Sequence, residues 1–118
     1  AFGGFRVQGR GERGDELLAD ALALQEAGCF AVVLEAIPAE LGARVTEALE
    51  IPTIGIGAGP HCDGQVLVIT DLLGLTPDPT PRFVKRYADL RSIVAEAAQR
   101  FAKDVAEGHY PAPEHEYH

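Results

Sequence analysis

Phe30-Ala-Val-Val-Leu-Glu35 is a continuous apolar run that delivers one carboxylate at its end, and a second run follows it, Ile51-Pro-Thr-Ile-Gly-Ile-Gly-Ala-Gly59. Runs of this kind, β-branched and bounded by Gly and Pro, read as strands buried on both faces, which belong to parallel sheets covered by helices. Between them, the segment from Pro38 to Leu49 places Leu41, Val45, Ala48 and Leu49 on one helical face, with Glu40, Arg44 and Glu47 elsewhere. Strand, helix, strand in about thirty residues is the βαβ unit. Upstream, Asp15 to Gly28 reads as a helix with Leu17, Ala21 and Leu24 in register and Gly28 as its stop.

Downstream, Gln65-Val-Leu-Val-Ile69 reads as a third strand, although the segment 60–64 is too short to hold a helical crossover between parallel neighbours. A short helix is expected from Thr70 to Gly74, and the proline-rich segment from Leu75 to Pro81 is a loop. Ala88 to Glu107 is expected to be the longest helix, with Leu90, Val94, Ala97, Phe101 and Val105 as its buried stripe and Gly108 and Pro111 ending it. The tail from Gly108 to His118 is polar and carries His109, His115 and His118.

Composition narrows the function. Hydrophobic residues at 47% and charged residues at 24% in 118 positions fit one small globular domain. A net charge of −8, with Lys and Arg dispersed among acids, argues against a nucleic-acid partner. No apolar run approaches the roughly 18 residues that span a bilayer, and no signal peptide is recognisable. Cys29 and Cys62 form no disulfide framework and read as reduced cytosolic thiols. The chain has no methionine and opens on Ala1-Phe-Gly-Gly-Phe, so it is expected to be a piece of a longer polypeptide. The strands needed to complete its sheet are expected upstream.

In parallel α/β folds the ligand site lies at the carboxyl ends of the strands, which makes Glu35 a candidate general acid or base backed by an apolar wall. The alternative is a carboxylate that has emerged into a loop, solvated or capping the next helix. Gly55-Ile-Gly-Ala-Gly59 resembles a phosphate-binding loop, but Pro60 stands where the last glycine would be, and His61-Cys-Asp-Gly64 does not open a helix. Those small residues are better suited to a tight turn or to close approach of backbone to a ligand. Adjacent side chains such as His61, Cys62 and Asp63 rarely converge on one ion, so no zinc site is assigned. The tail histidines, with Glu114 and Glu116, read as a solvated end. Gly9-Arg-Gly-Glu-Arg-Gly14 reads as a flexible loop able to fold over a site as a lid.

Five ordered motifs carry a resemblance: Gly3-Gly-Phe-Arg-Val-Gln-Gly-Arg10, Val33-Leu-Glu-Ala-Ile-Pro-Ala-Glu40, Ile51 to Gly59, Cys62-Asp-Gly-Gln-Val-Leu-Val68 and Arg82-Phe-Val-Lys-Arg-Tyr87. Together they resemble the ketopantoate hydroxymethyltransferase family, along this whole chain but over only about the C-terminal half of the family's. The resemblance implies an α/β fold, the C-terminal half of a (βα)8 TIM barrel of the phosphoenolpyruvate mutase and isocitrate lyase-like superfamily. Residues 1–107 would belong to the barrel and 108–118 to a tail. It implies a cytoplasmic enzyme of pantothenate biosynthesis that assembles into large homo-oligomers, often decamers. The family moves a hydroxymethyl group from 5,10-methylenetetrahydrofolate to 3-methyl-2-oxobutanoate, giving 2-dehydropantoate, with Mg2+ favouring the enolate of the keto acid. Within it, the Glu of Val-Leu-Glu, here Glu35, is the proton acceptor. The Mg2+ ligands lie in the family's N-terminal half of the barrel, the implied partner of this chain, and no residue here is assigned to metal or cofactor binding. Two other readings stand beside this one: a carbon–carbon lyase of the same superfamily, which would lack the Gly3 to Arg10 motif, and an inactive half-barrel that self-associates through unpaired strands.

Overall fold

A computed structural model describes residues 12–118, as α1 (Glu12–Glu26), β1 (Val32–Glu35), α2 (Ala39–Ala48), β2 (Thr53–Ile56), β3 (Gly64–Gln65), α3 (Ile69–Leu72), α4 (Leu90–Ala106) and a 3-10 helix (Pro113–His115). The chain forms two compact units, one running to Val68 and including Pro81–Val84, the other made of Ile69–Thr80 and Lys85–His118.

In the first unit the order helix, strand, helix, strand is as the sequence predicts. β1 and β2 pair in parallel, Val32 with Thr53 through Glu35 with Ile56. Val32 and Leu34 turn inward and join Ala21, Ile37, Leu41, Val45, Leu49 and Ala58 in the core, with Val45 completely buried. α1 stops where Gly28, at φ 100, reverses the chain. Just before that stop, the Gln25 side chain accepts the amides of Glu50 at 2.6 Å and Ile51 at 3.1 Å, fixing the approach to β2.

Several expectations are corrected. α1 begins at Glu12, so the proposed lid from Gly9 to Gly14 is already helical at its end, with Gly14 buried; its residues 9–11 and the Gly3 to Arg10 motif lie outside the described residues. Leu24 is exposed, lying beside the edge of β1 that pairs with no strand among the described residues. On α2, Ala48 is exposed and Gly42 takes the inner face instead, where any Cβ would strike the Ala58 carbonyl oxygen.

The third strand differs most. Its ladder has two rungs, Ile54 with Gly64 and Gly55 with Gln65, parallel and reached through a loop with no helical crossover. One further bond, Val66 N to the Gly55 carbonyl at 2.9 Å, ends the pairing, and Ile69 already starts α3. Among the described residues no strand lies beyond β3. A run as apolar as Gln65 to Ile69 needs cover on both sides to stay extended, and here Val66, Val68 and Ile69 are exposed.

In the second unit α3 matches the expected short helix. α4 starts at Leu90, capped by Asp89, whose carboxylate accepts the Ser92 amide at 3.4 Å, and Gly108 at φ 74 follows its end. Its expected buried stripe is corrected: no residue of α4 is buried, and Val94, Phe101 and Val105 are about half exposed. The 75–81 loop is held by Arg86, which donates to the Thr76 carbonyl at 3.1 Å and to Asp78 at 2.9 Å.

Candidate functional site at the strand ends

Glu35 closes β1, opposite Ile56, on the face it shares with Val33, and it is exposed to solvent. The next two residues stay tied to β2: Ala36 N donates to the Ile56 carbonyl at 2.9 Å and Ile37 N to that of Gly57 at 3.0 Å. The carboxylate and the 57–59 turn therefore lie at the same end of the sheet, as the parallel pairing predicts. A shallow cavity of about 140 Å³ opens beside it between α1 and β1, lined by Leu17, Asp20, Leu24, Val33 and Glu35 among others.

The glycines of the turn serve close packing. Gly57 and Gly59 have φ of 68 and 81, and Ala58 between them is fully buried. A Cβ on Gly57 would come within 2.6 Å of the Phe83 ring, and one on Gly59 would strike Ala39. The turn leads into loop rather than helix, so it offers no helix N-terminus to a phosphate. The tight-turn reading is the one the geometry supports.

His61, Cys62 and Asp63 diverge. His61 is exposed, the free thiol Cys62 packs partly buried against the core, and Asp63 turns back to the start of β2. Thr53 N donates to the Asp63 carboxylate at 2.8 Å, and the Asp63 amide donates to the Thr53 hydroxyl at 3.1 Å. The Thr46 hydroxyl donates to the Gly42 carbonyl at 2.7 Å, so at its 2.8 Å contact with Thr53 it can only accept. The protons thus run in one direction, from Asp63 N through Thr53 and Thr46 to Gly42. Sequence reasoning missed this clamp, since nothing in a lone loop aspartate names a partner ten positions back. It also missed Ala36, whose φ of 51 no sequence signal announces.

The tail histidines are exposed, as a solvated end requires, and ring contacts organise the tail around them. Tyr110 lies between Phe101, 5.3 Å between ring centroids, and His115 at 5.2 Å, and His115 Nδ1 accepts the Ala112 amide at 3.1 Å. His109 sits 3.5 Å from Glu107. Among the described residues no three His, Cys, Asp or Glu side chains gather as a metal site, and no helix is long and apolar enough to cross a membrane.

A parallel sheet with a helix between its first two strands, a carboxylate at a strand's carboxyl end and a glycine turn at the same rim place the molecule among α/β proteins whose sites form at strand ends. A sequence profile described as ketopantoate hydroxymethyltransferase matches residues 1–113. The 3-methyl-2-oxobutanoate hydroxymethyltransferase of Acidothermus cellulolyticus is 65% identical over 117 residues, covering 99% of this chain and 43% of the relative. Those of Trichlorobacter lovleyi and Frankia casuarinae are 60% and 63% identical, over 98% of this chain and 44% and 39% of their own lengths. The chain belongs to the ketopantoate hydroxymethyltransferase family. It corresponds to the C-terminal portion of these relatives and spans about two fifths of their length.

Proposed function

We propose that this chain is the C-terminal part of a (βα)8 barrel enzyme, residues 1–107 belonging to the barrel and 108–118 to its tail, that transfers a hydroxymethyl group from 5,10-methylenetetrahydrofolate to 3-methyl-2-oxobutanoate. The product is 2-dehydropantoate, and the enzyme works in the cytoplasm as a homo-oligomer. The observation that carries the reading is Glu35, the last residue of a parallel strand and exposed on the face it shares with Val33. There its carboxylate accepts the proton from C3 of the keto acid as the enolate forms, because C3 is too weakly acidic to lose it unaided. The core behind β1 and the two amide bonds to β2 hold the strand end still while the proton moves.

Among the described residues no three carboxylates, thiols or imidazoles gather around one point, and no residue here is assigned to Mg2+. The ion's ligands belong to the N-terminal portion that this chain does not span, and this chain's share of the reaction is the base. The test is C3 deuterium exchange of 3-methyl-2-oxobutanoate in the full-length enzyme. Glu35→Gln keeps size and hydrogen bonding but removes the base, so exchange and turnover fall by roughly 10²–10⁴-fold. Keto acid affinity changes much less, because its other contacts are untouched. Exchange at the wild-type rate would return Glu35 to the role of a loop carboxylate.

A further inference from the structure

Among the described residues Ala36 is the one non-glycine with a left-handed backbone, at φ 51; the chain uses Gly at 28, 57, 59, 74 and 108 for the same purpose. A Cβ crowds the backbone in this region, so residues other than Gly adopt it only where their surroundings impose it. Along β1 burial alternates, Val32 and Leu34 inside, Val33 and Glu35 outside, and then the alternation fails, because Ala36 and Ile37 are both buried. Hydrogen bonding changes at the same point. In a regular strand successive amides face opposite edges, yet Ala36 N and Ile37 N both donate toward the β2 side, to the carbonyls of Ile56 at its end and Gly57 just after it. The backbone has turned over at Ala36. With that turn the strand stops directly after Glu35, Ile37 is anchored in the core, and Glu35 is the last side chain on the open face. An extended Ala36 would instead carry Ile37 toward the face of Glu35 and run the chain on past the rim.

We propose that Ala36 is a positioning residue for proton transfer, its left-handed backbone holding the Glu35 carboxylate at the rim through the paired amide bonds to β2. The proposal rests on the role given to Glu35, so Glu35→Gln accompanies the Ala36 variants in the full-length enzyme. The readouts are C3 exchange, kcat, and KM for 3-methyl-2-oxobutanoate. Valine resists the left-handed region because it is β-branched, so Ala36→Val lowers exchange and kcat by about tenfold or more, as a misplaced base does. KM stays within about twofold, since the loss falls on the transition state rather than on binding. Glycine enters the region freely, so Ala36→Gly keeps exchange within about threefold of wild type. Wild-type exchange in folded Ala36→Val overturns the proposal, and so does a tenfold loss in Ala36→Gly, which would assign the effect to methyl packing. Should Ala36→Val not fold, Ala36→Gly alone decides on the same criterion. Wild-type exchange in Glu35→Gln removes the base itself, and the positioning role with it; a slow Glu35→Gln beside a normal Ala36→Val removes the positioning role only.

Discussion

The carboxylate of Asp63 holds the amide of Thr53, a residue with no exposed surface, and the Thr53 hydroxyl holds the amide of Asp63 in return. This reciprocal pair fixes the start of β2 and the return of the 57–63 loop, so its loss would be felt as stability rather than chemistry. Asp63→Ala leaves a buried N–H without a partner, and a destabilisation of about 1–3 kcal/mol is expected. Asp63→Asn keeps an acceptor oxygen and should cost less than half as much. Urea denaturation of the full-length enzyme measures both, and equal losses in the two variants would contradict the acceptor role. The place of Glu35 at the end of β1, by contrast, was legible from sequence, because an apolar run that ends on a carboxylate marks both the strand and its end. Ala36 was not, since alanine signals helix or strand and its handedness follows from what Ile37 is packed against.

Among the elements, α2 meets the turn that follows β2 at Gly42, and the helix lies close enough that a methyl there would strike the Ala58 carbonyl oxygen. Helix propensity alone favours Gly42→Ala by about 1 kcal/mol. Forcing a methyl into a packed contact costs about 1–3 kcal/mol, and the obstacle here is backbone, which gives little. The variant is therefore expected to be destabilised on balance, with a lowered thermal midpoint; a raised midpoint would show that the helix can shift outward. The order and direction of α1, β1, α2 and β2 were legible because each buries an apolar face within this chain, but β1, read as buried on both faces, buries only Val32 and Leu34 and leaves Val33 exposed. The sequence misled at β3 for a related reason: the run from Gln65 to Ile69 has strand composition, but among the described residues only its beginning has a strand partner. Periodicity reports what an element is built to bury, not whether the neighbour is present.

For the whole molecule the same reasoning applies to α4, whose predicted apolar stripe lies open, Val94 and Phe101 both more than half exposed. Val33 on the open face of β1 and Val66 and Val68 beyond β3 are exposed as well. Burying one such side chain from this state is worth roughly 1 kcal/mol, at about 25 cal/mol per Å² of apolar surface. Exposed apolar surface that is spread over a helix and two strands drives association unless more chain covers it. The 118-residue chain on its own is therefore expected to sediment well above its monomer mass of 12.6 kDa, with the distribution shifting as it is diluted. Phe101→Ser combined with Val94→Ser should reduce that association without touching the core of the first unit, in which neither residue takes part. Supplying the N-terminal portion of a relative in trans should also reduce it, since that portion would cover the open strand edges. Sedimentation velocity across a range of concentrations, with thermal melting alongside, reads all three. A monomer that melts cooperatively without any partner would mean that these surfaces are tolerated in water, and the exposed stripe of α4 would then carry no information about what it packs against.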